Sequence, residues 1–191
     1  MIQNRESAKP DPNRQFIVLV GLMGSGKTSI GRRISEAIGL PFVDTDEEVV
    51  KAAGCPIPEI FSRFGEDEFR NGERRVIRRI LEGAPAVVAS GGGSYMDAGT
   101  RQTIAKHGVT IWLRAGLDTL VERTRRKNMR PLLRAGDPRK ILARLMEERH
   151  PVYAEADIIV DVGGEHADQT AKHTIDKLNA FRNSSMNKPE Q

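Results

Sequence analysis

A single cysteine, Cys55, stands in 191 residues, so no internal disulfide can form and a reducing, cytoplasmic setting is expected. The four histidines, His107, His150, His166 and His173, make no pair at metal-ligand spacing, which argues against a zinc site. No apolar run approaches the roughly 20 residues that span a bilayer, and residues 1–14 are polar, without the apolar core of a secretory signal. No membrane partner is expected. Aromatics are only 5% of the chain, too few for the stacking platforms of a single-strand binder, and no base-reading module is present. The net charge of +4 is concentrated between Arg123 and Arg134 and near Arg149, and it points to anionic small molecules, with no nucleic-acid partner. There is no internal repeat and no low-complexity segment.

What is present fits one compact domain: 38% apolar residues in a chain this long suffice for a single core over 15–182, with mobile tails expected at 1–14 and 183–191. The segment Gly21-Leu-Met-Gly-Ser-Gly-Lys-Thr28 follows the apolar run Phe16–Val20 and matches the phosphate loop G-x-x-x-x-G-K-[ST] at every defined position. Its glycines let backbone N–H groups wrap around phosphates, and the helix starting at Lys27 adds its positive dipole end. Gly24, Ser25, Gly26, Lys27, Thr28 and Ser29 are therefore the candidate nucleotide-binding residues. Lys27 is expected to reach the β and γ phosphates, and the Thr28 hydroxyl to be a protein ligand of Mg²⁺. A dinucleotide fingerprint is excluded, because its third glycine would fall on Ser29.

Short apolar runs at 16–20, 40–43, 86–90, 109–113 and 157–161 read as strands buried on both faces. Between them lie helical stretches: Ile30, Ile34 and Ile38 recur every four residues until Gly39 and Pro41 end the pattern, and Phe69, Val76, Ile77, Ile80 and Leu81 line a second buried face. On another face of that helix, Arg70 and Glu73 lie one turn apart. Alternation of this kind predicts a three-layer α/β/α fold with a mostly parallel sheet, and ligands then bind beyond the carboxyl ends of the strands. Asp44-Thr-Asp46 follows the second run, and two carboxylates at i and i+2 of an extended segment point the same way. One reading is a helix cap, since Glu47 and Glu48 follow; the other has one carboxylate holding a Mg²⁺-bound water and the other contacting an acceptor hydroxyl. Ser90-Gly-Gly-Gly-Ser94 follows the third run, where bare backbone lets a substrate or γ-phosphate approach.

These segments, with Gly65-Glu-Asp-Glu-Phe-Arg70, Glu73, Arg130-Pro-Leu-Leu133 and Glu148-Arg-His-Pro-Val-Tyr153, occur in the order and approximate spacing of shikimate kinases, and the resemblance spans roughly residues 16–162. It implies the P-loop NTPase fold of the nucleoside monophosphate kinase type, a five-stranded parallel sheet with a mobile lid at about 125–137. The implied activity is ATP-dependent phosphorylation of the 3-hydroxyl of shikimate, with Mg²⁺; a monomer is expected. Position by position, Asp46 resembles the aspartate that contacts the shikimate hydroxyls, as base or as positioning group, and Asp44 the one near Mg²⁺. Arg70 and Arg149 resemble the pair that holds the shikimate carboxylate, with Glu73 orienting Arg70. Gly91, Gly92 and Gly93 resemble the glycines lining substrate and γ-phosphate, Arg123 a residue on the adenine side, and Arg130 the lid arginine, which makes Lys27, Asp46 and Arg130 the catalytic candidates. The chain departs from the family after its last strand, where Asp161-Val-Gly-Gly164 stands in place of a turn that commonly carries a proline. The alternatives are another small-molecule kinase of this fold, for gluconate or a nucleoside monophosphate, and a catalytically silent nucleotide-binding homologue. The arginine pair opposes the first, and the presence of Lys27, Asp46 and Arg130 together opposes the second.

Overall fold

Phe16–Val20 forms the first strand, β1, with all five side chains buried. In the computed structural model, which describes residues 14–125 and 136–186, it is the middle strand of a sheet completed by β2 (Phe42–Asp44), β3 (Val87–Ala89), β4 (Gly108–Ala115) and β5 (Ile158–Val162). The order is β2-β3-β1-β4-β5 and every pairing is parallel, with Ile17 level with both Val87 and Val109. This is the expected five-stranded sheet, with ends displaced by one or two residues. Pro41 has no N–H to give, so the edge strand β2 starts at Phe42 and not at residue 40, although Pro41 O still accepts from Val87 N at 2.9 Å.

The helices are α1 (Lys27–Ile38), α2 (Thr45–Ala53), α3 (Ile57–Leu81), α4 (Ala98–His107), α5 (Leu117–Arg125), α6 (Pro138–Tyr153) and α7 (Ala167–Met186), with a short 3₁₀ turn at Ser94–Met96. α1 packs on α7 and α3 on α4, and with right-handed crossovers these pairs cover opposite faces of the sheet. α1 buries Ile30 and Ile34 and partly covers Ile38, as their four-residue spacing requires. α3 is longer than its apolar pattern suggests and breaks its helical path at Gly65 (φ 80°, ψ 175°). Its buried face serves two cores. Ile77 and Leu81 join the large core under the sheet, whereas Phe69 and Val76 close a small separate one with Val49 of α2 and Ile60.

The ends of the chain differ from the expected tails at two places. Arg14 donates to Gly108 O at 2.9 Å and pairs with Asp157, whose carboxylate also accepts the Thr110 N–H, so it is tied to the start of β4. α7 carries residues 183–186 in continuous helix, because its backbone bonding continues that far. The remaining residues of both tails, and 126–135 of the expected lid with Arg130, lie outside the described residues.

α6 sets His150 edge-on to Trp112 of β4, ring centroids 4.9 Å apart. Burial, and then the Arg114 guanidinium, push the His150 pKa below its ordinary 6.5. The unfolded chain therefore takes up this proton before the folded protein does. The contribution of the neutral ring is fully present above about pH 6.5 and is lost as pH falls through that value toward the depressed one. Urea unfolding between about pH 7.5 and 5 should show stability falling less steeply for His150→Gln than for the parent chain; equal slopes would show that His150 contributes nothing.

Candidate active site

Three strand ends meet on the carboxyl side of the sheet, beside β1, where the chain crosses from the β2 side to the β4 side. After β1 the phosphate loop turns through Gly24 (φ 83°) and Gly26 (φ 96°), conformations a side chain disfavours, and enters α1 at Lys27. Lys27 Nζ folds against its own loop, donating to Gly21 O at 2.7 Å and Leu22 O at 3.0 Å. Ser25 is buried, and Gly24, Gly26, Lys27, Thr28 and Ser29 line a cleft of about 520 Å³.

Asp44 ends β2 and does two things at once. Its Oδ1 accepts the Asp46 N–H at 3.1 Å, capping α2, and its Oδ2 accepts from Thr28 Oγ1 at 2.9 Å. The extended geometry expected for Asp44 and Asp46 is not found, because the cap starts the helix at Thr45 and puts Asp46 in its first turn. Both carboxylates still line the cleft. The donors at Thr28 and Asp44 are all oxygen, which fits a hard divalent cation that keeps most of its waters and needs few protein ligands.

The turn after β3 gathers the remaining groups. A Cβ on Gly91 would stand 2.6 Å from Glu73 Oε1 and 2.7 Å from Asp46 Oδ1, and one on Gly93 would stand 2.6 Å from Arg70 Nη1. Arg70 Nη1 donates to Glu73 Oε2 at 2.9 Å and Nη2 to Glu66 Oε1 at 3.1 Å. Burial alone would lower the Arg70 pKa, but these carboxylates more than offset it and hold the guanidinium above its ordinary value. Glu73 is only 3% exposed, and Ser94 Oγ donates to its other oxygen at 2.6 Å. Arg149 Nη1 donates to Gly92 O at 2.7 Å, and the Tyr153 hydroxyl donates to the same carbonyl. Burial pushes the Tyr153 phenol up, which keeps it a donor. Gly92 lines the cleft; Arg70, Arg149, Gly91 and Gly93 frame it around Gly92 without forming its wall. On the far side Arg123 of α5 lines the cleft and donates to Gly163 O at 2.7 Å, in the Gly163-Gly164 turn after β5.

The structure thus brings together every site residue anticipated from sequence that lies among the described residues. It adds three that sequence reasoning gave no role: Thr45, Ser94 and Tyr153, all buried and all bonded to the glycine turn or to Glu73. Their only signal in sequence is a hydroxyl standing within a quoted segment, at Thr45 between two aspartates and at Ser94 and Tyr153 at a segment's end.

The family model described as shikimate kinase matches residues 23–179. A shikimate kinase of Paramagnetospirillum magneticum is 51% identical over 162 residues, covering 85% of this chain and 83% of that protein. One from Mesorhizobium japonicum is 48% identical over 162 residues, covering 85% and 80%. Among solved structures, shikimate kinase from Acinetobacter baumannii in complex with shikimate superimposes with a TM-score of 0.84 at 32% identity, over 87% of this chain and 94% of that one. A gluconokinase from Sinorhizobium meliloti shares the fold, with a TM-score of 0.62 at 22% identity over 90% and 96%. With its phosphate loop, its paired arginines and these relatives taken together, the chain belongs to the shikimate kinase family of phosphoryl-transfer enzymes.

Proposed function

We propose that this chain transfers the γ-phosphoryl group of ATP to the 3-hydroxyl of shikimate, giving shikimate 3-phosphate and ADP. The observation that carries the reading is the placing of Arg70 and Arg149 against consecutive glycines at the end of a cleft floored by a phosphate loop. A ring bearing a carboxylate needs guanidinium forks at one end and an oriented hydroxyl at the other, and Asp46 lines the cleft beside the same glycine turn. In this reading Gly24, Ser25, Gly26 and Ser29 wrap the phosphates, and Lys27 leaves its loop carbonyls to offset charge on the β and γ phosphates. Thr28 and Asp44 hold Mg²⁺, which when bound neutralises phosphate charge. Arg70 and Arg149 bind the carboxylate, with Glu73 fixing Arg70, and Gly91, Gly92 and Gly93 leave room for the ring. Arg123 contacts the adenine side, and Arg130, in the lid of about 125–137 that the family resemblance implies, approaches the phosphates.

Asp46 orients the acceptor hydroxyl and takes its proton. Because the transition state is loose and the proton leaves late, alignment contributes more than basicity. All of these side chains come from one chain, so a monomer suffices. The lone cysteine fits a reducing compartment, and we place the protein in the cytoplasm, with no nucleic-acid or membrane partner. Among the described residues no helix is long and apolar enough to cross a membrane.

ADP release measured with shikimate, gluconate and a panel of nucleoside monophosphates tests the acceptor; turnover with gluconate or a monophosphate and none with shikimate would defeat the reading. Lys27→Ala should lower turnover at least about a hundredfold, the loss typical of removing one well-placed electrostatic donor; near-normal turnover would remove it from the phosphate site. Arg70→Ala and Arg149→Ala should each weaken shikimate use by about 2–5 kcal/mol while leaving ATP affinity nearly intact. An equal loss toward ATP would mean that the two arginines serve the nucleotide. Asp46→Asn keeps shape but removes charge and basicity, so single-turnover rates should fall more than calorimetric shikimate affinity does; wild-type values for both would exclude it from the site.

A further inference from the structure

Between the two cleft carboxylates stands a residue that turns inward. Thr45 has 0% exposure, and its Oγ1 accepts the Gly91 N–H at 2.8 Å. The sheet stops serving the chain one residue earlier: Ser90 N still donates to Leu19 O at 3.0 Å, and Gly91 is the first residue after β3 whose buried N–H goes to a side chain. A buried amide must find an acceptor, and here α2 supplies it from its first residue.

This bond has consequences for three functional groups. Gly91 is where the Asp46 and Glu73 carboxylates approach closest to the turn, and Glu73 holds Arg70. Gly92 O, one residue on, holds Arg149. The height of the turn above α2 therefore sets the distance between the acceptor-orienting carboxylate and both guanidinium groups. The turn's other side-chain tethers include Ser94 of the 3₁₀ turn, which also holds Glu73 of α3, and Arg149 and Tyr153 of α6. Thr45 ties it to the element that carries Asp46.

We propose that Thr45 is a positioning residue for acceptor binding, its hydroxyl holding the Gly91–Gly93 turn in register with Asp46. The proposal rests on the shikimate reading of the same site. Thr45 is fully buried, does not line the cleft and spends its hydroxyl on the glycine turn, so its loss is felt at the acceptor end; the phosphate loop meets α2 through the Thr28 hydroxyl and the Asp44 cap, a bond that Thr45 does not make.

The test is steady-state kinetics of full-length Thr45→Val, which keeps the shape and removes the acceptor, beside Thr45→Ser, which restores it. Thr45→Val should raise KM for shikimate about tenfold, the effect of leaving one buried donor without a partner, with KM for ATP unchanged. Thr45→Ser should return within about threefold of the parent chain. Hydrogen exchange at the Gly91 amide of the unmodified protein should be slow, and this holds even if Thr45→Val does not fold. A folded Thr45→Val with unchanged KM for shikimate, an equal rise for ATP, a serine variant no better than valine, or fast exchange at Gly91 would each overturn the proposal. If the unmodified chain released no ADP with shikimate, the reading beneath it would fail instead, and slow or fast Gly91 exchange would still judge the bond itself.

Discussion

The absence of side chains at 91 and 93 is what permits charged groups to pack around the glycine turn at the edge of the cleft. Any Cβ there would come within 2.7 Å of a carboxylate or guanidinium atom, well inside contact distance, and those atoms belong to buried or half-buried side chains with little room to withdraw. Asp46, Glu73 and Arg70 therefore share a surface that is backbone only. Bare backbone also supplies the polar partners: Gly91 N–H, Gly91 O and Gly92 O are each bonded to a side chain. The turn is at once the space and the scaffold.

Glu73 shows how the same arrangement meets its electrostatic cost. A buried carboxylate is expensive to desolvate, and it is tolerable here because a guanidinium takes one oxygen and the Ser94 hydroxyl the other. Such a pair adds little to global stability compared with apolar residues of the same volume. What it gains is direction: the Arg70 guanidinium is pinned by two carboxylates and cannot swing into solvent without stranding Glu73. Asp44 is used with similar economy, since capping α2 fixes the carboxylate that also receives the Thr28 hydroxyl.

The phosphate loop, its strand and α1 were legible in the sequence because their logic is local: an apolar run, glycines at fixed offsets, then isoleucines every four residues. The glycine turn was legible from its place after an apolar run. Asp46 was anticipated by type and position, but the geometry assigned to it was wrong, because the cap made by Asp44 starts the helix one residue earlier than an extended segment allows. The break at Gly65 left no mark, since glycine inside a charged helical stretch is otherwise tolerated. Thr45, Ser94 and Tyr153 stayed hidden for a different reason. Their bonds join residues 46, 21 and 61 positions apart, and periodicity carries no information at that range.

The two hydrophobic cores described for α3 divide the molecule unequally. Phosphate loop, sheet and α1 draw on the large one, whereas Val49, Ile60, Phe69 and Val76 form a small core between α2 and α3, joined to the rest at Ile80, which packs on both. Arg70 and Glu73 stand on α3 between Phe69 and Val76, so a change in that small core shifts the groups around the glycine turn while the strand and helix that flank the phosphate loop keep the packing of the large one.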